Sequence, residues 1–558
     1  MRTHTKFGPR DTLDEPVGDD VWTGVNDRIS RDRLAPGLLA AGVNLDLDAG
    51  DLRHRPGFVC EPTVAASPLG ASFGEAAFVD PAGLEWLLVL TASEVNAYRR
   101  NHSVRTIALP AGYAVTAPIC TIVQALGRVF IFQSGATPLE WRGVWGAAFA
   151  AVTRPAAITA TRQIPDGSTA MYFQNRLWLP YGRNQLAVSD LLDFTRYDPV
   201  EQDFTADFGA GDSILTLRPY GEQSVIIFKD RSIGVLRNVT PSLASVAVDE
   251  LTRTHGLAAQ RAVCEADGDL YYLASDRTLR SIGLTINNEL SRSTEPYSAP
   301  IPGIFRRINW QAIATAALET DGEKLYLTVP LDDATAADTV LIYSLIRRQW
   351  DGYWTFNAAL ALNFRQFVPL TFNGVRQLYA VSAAGRVYAL DGGCYDIQAG
   401  VSYGIAQAWS SRGYRLAGGI RVRPAEVAIA IATYAPNLTL TLDYGGPGEE
   451  EALASGLTYD RTKSEYGTGA SDWTNASGAA GARGRQDYSL VAETTPDGFY
   501  VDTPAAVDLK QHHLIRRQPK GESRWVAVEC AISTGCADCQ AIAIALQDRS
   551  SIRERVAT

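Results

Sequence analysis

The 558-residue chain is poor in several features that would have narrowed its function early. No apolar run approaches the ~18–20 residues that a membrane-spanning helix needs. The longest candidate, EVAIAIATY at 426–434, is short and alternates Ile with Ala as a strand does. The opening MRTHTKFGPRDTLDEP has no apolar stretch of the signal-peptide kind, so the expectation is a protein made in a cytoplasm. There are six histidines, and none stands in a zinc-protease or serine-hydrolase setting. Seven cysteines do not make a disulfide framework. Helical periodicity is scarce too. A net charge of −10 argues against a high-affinity sleeve for nucleic acid, which would need clustered Lys and Arg. It is compatible with a channel through which nucleic acid slides, because an acidic wall does not hold phosphates.

What is present is strand pattern. Residues 38–58, LLAAGVNLDLDAGDLRHRPGF, crowd Asp46, Asp48, Asp51, Arg53, His54 and Arg55 together. Val43, Leu45 and Leu47 alternate with Asn44, Asp46 and Asp48, the period of a half-buried strand. With Ala49-Gly50 as the turn, Leu47 faces Leu52, Asp46 faces Arg53 and Asn44 faces Arg55. Opposed charges across strands contribute only ~0.2–1 kcal/mol but fix register. The reading is a hairpin with one wet, charged face, ended by Pro56-Gly57, with His54 packed beside Leu45 and not catalytic.

A longer repeat follows. Turns near Glu85, Gly127, Asn175, Glu222, Gly268, Gly322 and Gly374 recur every roughly 42–54 residues, the spacing of propeller blades. Each precedes an apolar central strand: VFIF (129–132), LWL (177–179), VIIF (225–228), LYYL (270–273), LYLTV (325–329), LYAV (378–381). Small sheets with two apolar faces must stack around a ring to bury them. The expected fold is therefore all-β: a β-propeller of about seven divergent blades, followed by a C-terminal β-sandwich-like domain. One Trp-Asp pair, Trp350-Asp351, has no repeating Gly-His partner, and no sialidase-type Asp-box is present. The expected divisions are an N-terminal arm and hairpin at 1–60, the propeller at 61–395 and the accessory domain at 396–558. That last domain carries a Gly-rich insert at 467–486.

Candidate chemistry is thin. Cys530, Cys536 and Cys539, with His512 or His513, contain one Cys-x2-Cys knuckle where structural zinc usually takes two, and a plain hairpin turn accounts for them better than zinc or a disulfide does. Cys60, Cys120, Cys264 and Cys394 read as small core residues. A two-carboxylate hydrolase could use Asp80, Asp190, Asp193, Asp276 or Asp391, all near blade turns, but nothing selects a pair. DDATAAD at 332–338 lacks the Gly and distal Glu of an EF-hand loop, so Asp332, Asp333 and Asp338 read as a solvated loop. The basic run 511–524, with Arg516, Arg517, Lys520 and Arg524, fits an acidic partner surface and a charge-protected sheet edge equally well. No catalytic residue, cofactor or metal ligand is assigned.

The stretch VWTGVNDRISRDRLAPGLLAAGVNLDLDAGDLRHRPGF (21–58) resembles the start of the β-propeller nozzle, or tail stabilisation, proteins of short-tailed bacteriophages. The matching positions are Gly24, Asn26, Leu34, Gly37, Asn44, Gly50, Leu52, Arg55, Pro56 and Gly57. A second similar stretch, 172–197, matches a blade of that family at Phe173, Arg176, Leu177, Trp178, Ser189, Asp190 and Phe194. The 472–490 segment and the strand around Trp525 resemble its accessory sheet domain. The resemblance implies a non-enzymatic virion protein, assembled in the host cytoplasm as a ring, commonly of six copies, below portal and adaptor. Its lumen would pass DNA without reading sequence, and its periphery would hold tail fibres or spikes. The alternatives from the residues alone are a propeller-type glycoside hydrolase or carbohydrate-binding protein, and a scaffold module.

Overall fold

A computed structural model describes residues 17–61, 68–153 and 164–415, except 210, 292–294, 361, 373, 391–392 and 394. Beyond 415 it describes the strands at 422–433, 439–445, 485–489, 511–517, 525–532 and 537–548. The chain divides into two compact units. Unit 1 gathers residues 1–56, 349–357 and 403–558, and unit 2 comprises 57–348 and 358–402.

Unit 2 is a β-propeller. Blade 1 has strands Gly74–Val79, Glu85–Leu90, Glu94–Tyr98 and Arg105–Ala108. Blade 2 has Thr121–Ala125, Arg128–Phe132, Leu139–Trp141 and Ala150–Ala151. Blade 3 has Met171–Phe173, Arg176–Tyr181, Gln185–Val188 and Asp203–Thr205. Blade 4 has Ile214–Tyr220, Ser224–Lys229, Ile233–Arg237 and Ala247–Thr252. Blade 5 has Val263–Ala266, Asp269–Leu273 and Leu279–Ser281, then helices Ile282–Ser291 and Pro302–Arg307. Blade 6 contributes Ala317–Thr320, Lys324–Val329 and Thr339–Ser344. The last sheet has six strands: it runs from Phe364–Phe372 through Val375–Ser382 and Val387–Leu390, then takes in Phe58–Cys60 from far upstream. Phe364–Phe372 lies beside Gly74–Val79 and closes the ring.

The plain blades thus number six, slightly below the expected seven. The repeat near Gly374 falls in the composite closing sheet, whose fourth strand comes from a distant segment and leaves no local signal.

The central strands are apolar throughout because each is covered on both faces. In blade 2, Val129 and Ile131 pack toward blade 1 with Trp86, Leu88 and Trp141. Their alternates Phe130 and Phe132 pack toward blade 3 with Leu177, Leu179 and Phe194. Trp178 then turns to blade 4, meeting Val225 and Ile227, while Ile226 and Phe228 reach blade 5. The period-2 alternation therefore feeds two cores from one strand. The turns read from sequence carry the backbone they require: Leu126, Asn175, Gly268, Gly322 and Gly374 all have positive φ.

Among the described residues, unit 1 holds two larger sheets besides the small hairpin sheet of Leu45–Asp46 and Arg53–His54. One has the order Val17–Asp19, Ala537–Asp548, Val422–Thr433, Gln511–Arg517. The basic stretch thus occupies an edge strand, as charge protection of an edge predicts. The other contains Gln349–Trp354, Gly24–Val25, Leu38–Val43, Gln407–Ser411 and Trp525–Ile532 in succession, then Thr439–Gly445 and Arg485–Ser489. Gly24–Val25 pairs parallel to Leu38–Val43, so residues 24–43 form a crossover and not a hairpin.

Candidate functional site

The charged opening stretch forms the expected hairpin, with Leu45 opposite His54 and Asp46 opposite Arg53. Its charged face is wet only in part: the Arg53 and Asp51 side chains stay 46% and 43% exposed, but the Asn44–Arg55 end is covered. Asn44 is 1% exposed and Arg55 fully buried. Asn44, at φ 57°, is a hub. Its Oδ1 accepts from the Thr355 backbone N–H at 2.8 Å and from Arg55 Nε at 3.0 Å. Its Nδ2 donates to Thr355 Oγ1 at 3.1 Å and to the Ala406 carbonyl. Arg55 also donates to the Pro56 and Thr355 carbonyls at 3.0 and 3.2 Å and sits over the Phe356 ring. The burial has a simple cause: the segment 349–357 covers this face, and its Trp354 Nε1 donates to the Leu45 carbonyl at 2.7 Å. Arg53 pairs with Asp51, two residues away along the chain, at 2.7 Å, while Asp46 opposite it adds a weaker attraction. His54 bonds Asp538 at 3.2 Å. Gly37 needs its positive φ of 79°, and a Cβ there would stand 2.7 Å from the Val21 carbonyl.

Asp46, Asp48 and Asp351 bring carboxylate oxygens within 4.8 Å of one another, a set able to hold a cation. Local pattern places the first two on the hairpin and gives Trp350-Asp351 no repeating partner. Only the return of residues 349–357 to this hairpin brings the third carboxylate in.

The other carboxylates hold turns. Burial alone would raise the Asp80 pKa, but bonds from the Leu84 N–H, Trp86 Nε1 and Ala82 N–H outweigh it and leave the carboxyl lowered. Asp190 meets Arg196 at 3.2 Å, Asp193 caps Thr195 at 2.8 Å, and Asp276 meets Arg280 at 2.8 Å. Asp332 pairs with Arg307 at 2.8 Å, which lowers its carboxyl. Asp338 accepts from the Leu331 N–H and Thr339 Oγ1. Asp391, Cys394 and Cys536 lie outside the described residues, as do 467–484 of the Gly-rich insert and Lys520 and Arg524 of the basic run. Cys530 and Cys539 are buried free thiols; burial pushes Cys539 up to about 12 and raises Cys530 well above its ordinary value.

One serine motif escaped sequence reading. Gly70-Ala71-Ser72-Phe73-Gly74 has Gly-x-Ser-x-Gly spacing. It leads into the first strand of blade 1, not through a strand-to-helix elbow, and the buried Ser72 hydroxyl bonds Glu75. Glu75 in turn pairs with Arg261 at 2.9 Å.

That arginine closes one end of the propeller axis. Neighbouring first strands touch one another, so they line the axis. From the lead-in to blade 5, Arg261 reaches the Phe73 carbonyl of blade 1 at 3.0 Å and the Arg365 carbonyl of the closing sheet at 3.4 Å. Gln260 reaches Thr121 of blade 2 at 3.2 Å and the Ser168 carbonyl ahead of blade 3 at 3.1 Å. Side chains thus bridge the axis at this face.

Near the opposite face the first strands present different chemistry. Arg218, Cys264 and Glu319 sit at one height on blades 4, 5 and 6, each opposite the third residue of the following strand: Ile226, Tyr271 and Tyr326. Arg218 donates to Thr216 Oγ1 and the Leu217 carbonyl of its own strand, and Glu319 accepts from the Thr320 N–H at 3.1 Å. Burial pushes the Glu319 carboxyl up to about 7 against the Thr320 N–H and the charges of Arg218 and Arg376. Burial likewise lowers the Arg218 guanidinium and raises the Cys264 thiol. These residues were not selected from sequence, because each looks like an ordinary member of an alternating strand.

The same face, carrying the first-to-second strand turns and the third-to-fourth links, displays apolar side chains. Val79 and Leu84 flank the turn of blade 1, Leu126 forms that of blade 2, and Val375 follows that of the closing sheet. Val144, Ile346 and, in blade 3, Leu191, Leu192 and Val200 stand on the links. Of the ten large hydrophobic residues exposed among the described residues of unit 2, nine are on this face; Val401 is the tenth. The family-like residues of blade 3 brace the longest link. Arg176 clamps the Ser189 and Pro241 carbonyls at 2.6 and 2.9 Å, and the Ser189 hydroxyl accepts from the Leu177 N–H at 2.9 Å. Phe194 is buried edge-on against Phe130. The loop tips Leu191, Leu192 and Val200 are therefore held out on a built support.

No protein family is matched by the sequence, and no curated protein is matched either. Among solved structures, virginiamycin B lyase from Staphylococcus aureus is similar over 57% of this chain and 94% of its own, at 11% identity and a TM-score of 0.37. YCF48 bound to D1 peptide is similar over 58% and 94%, at 8% identity and 0.34. The computationally designed Ika8 protein is similar over 60% and 99%, at 12% identity and 0.34.

Proposed function

We propose that this β-propeller protein is a structural, non-enzymatic component of a short phage tail. It assembles as a ring below the portal and adaptor, conducts DNA through the lumen between subunits and anchors fibres. The observation that supports the reading is the work done by the residues of the family-like stretches. Asn44 and Arg55 form a buried hub, Gly37 makes a close backbone approach, and Arg176 and Ser189 brace a loop. All of these are architectural roles. Because Gln260 and Arg261 bridge the propeller's own axis, the passage for DNA in this reading lies between copies and not through a propeller. The net charge of −10 suits a wall that does not retain phosphate. The test is the mass of the purified protein alone and mixed with a portal–adaptor complex. Incorporation as a ring is expected, and a chain that never joins the complex overturns the reading.

One observation favours a second reading. A carboxyl near pKa 7, as at Glu319, is what a general acid for glycan cleavage requires. Polysaccharide turnover that Glu319→Gln abolishes would move the assignment to a hydrolase.

A further inference from the structure

We infer that the apolar loop face of the propeller pairs with the same face of a second copy of this chain, about a two-fold axis lying in that face. Charge argues for this occupant. Among the described residues, the exposed cations of blades 1 and 2 and the closing sheet are Arg105, Arg142 and Arg376. The acids nearest them are buried: Asp80 is bonded to Trp86, and Glu140 is taken up by Arg128 at 3.0 Å and lies 3.8 Å from the mostly exposed Arg142. Blades 3, 4 and 5 display Glu201, Glu222 and Asp267 on the same face, and the Arg237 guanidinium there is taken up by Asp249 at 3.2 Å. Blade 6, at the boundary, carries both signs, Glu323 and Arg348.

In ring order, blade 1 stands opposite the junction of blades 4 and 5. A two-fold axis running from the junction of blades 2 and 3 to blade 6 lays the basic arc of each copy on the acidic arc of the other. The same operation lays Leu126 and Val144 of one copy on Leu192 and Val200 of the other at one pole of the axis. Ile346 of blade 6 meets its own equivalent at the other pole. Isologous contacts need this self-complementarity, with apolar residues excluding water and charge fixing orientation. The exposure of Val200 at 86% and Ile346 at 74% is what such burial would remove.

The pairing needs no other protein, so it stands or falls independently of the tail reading. Sedimentation of the purified full chain over a concentration series is expected to show a dimer. Leu192→Glu should weaken it by about tenfold or more, as should Arg142→Glu with Arg376→Glu, or Glu222→Arg with Asp267→Arg. Mixing the two charge-reversed proteins should restore a heterodimer, because both arcs then meet opposite signs. Unchanged thermal unfolding of each variant separates lost pairing from lost folding. A wild-type chain monomeric at every concentration overturns the inference, as does a dimer indifferent to the reversals or a mixture that does not recombine.

Discussion

Asn44→Ala removes the centre of the unit 1 hub without touching an exposed atom, since Asn44 is 1% exposed. Two losses add. The Arg55 guanidinium loses a charge-assisted bond of 3.0 Å and the Thr355 N–H loses its 2.8 Å acceptor. A bond to a charged group is worth about 1.5–3 kcal/mol, and an orphaned buried donor costs about 1–3 kcal/mol. Ala must also hold the φ of 57° that Asn tolerates, at roughly 1 kcal/mol. The expected destabilisation of unit 1 is about 3–5 kcal/mol, allowing for overlap between the two bonds. For a unit of ~200 residues this lowers the melting temperature by roughly 6–20 °C. Calorimetry measures the shift, and hydrogen exchange should show lost protection at the Thr355 and Arg55 amides. Asn44→Gly keeps the backbone freedom while losing the bonds, so it should recover only the smaller, conformational part. A loss below about 1 kcal/mol for Asn44→Ala, or protection lost only in unit 2, would refute the hub argument.

The Glu319 carboxyl, raised from 4.5 to about 7, binds its proton more tightly folded than unfolded. Stability should therefore fall as pH rises from 4.5 through about 7, and Glu319→Gln should flatten that slope in denaturation midpoints measured across the window. Lys229 and Asp212 form an ion pair of 2.6 Å with both side chains fully buried. Lys229→Met should cost about 3–5 kcal/mol by leaving Asp212 uncompensated, and adding Asp212→Leu should recover part of it in urea titrations.

Much of unit 2 was legible because its signals are local. A turn at Gly268 or Gly322 and an apolar strand such as VIIF or LYYL declare themselves within ten residues, and two-sided burial explains why polar alternates are missing there. The closing sheet was legible only in part, because Phe58–Cys60 joins it from far upstream. The hairpin at 45–54 was legible in register but not in burial. Asn44 and Thr355 are 311 residues apart, and no pattern around Asn44 announces what will cover it. The axial set failed for the same reason: Arg218, Cys264 and Glu319 belong to three blades and share only a height.

Strands, turns, register and the need for blades to stack follow from local pattern, since alternation and turn chemistry act over a few residues. Long-range packing settles which end of the hairpin's charged face is buried and which carboxylates meet as Asp46, Asp48 and Asp351. It also decided that nearly all exposed apolar residues of unit 2 share one face. Those outcomes depend on which distant strand arrives beside a given side chain. Closure of a ring and the return of residues 349–357 settle that, and local pattern does not encode it.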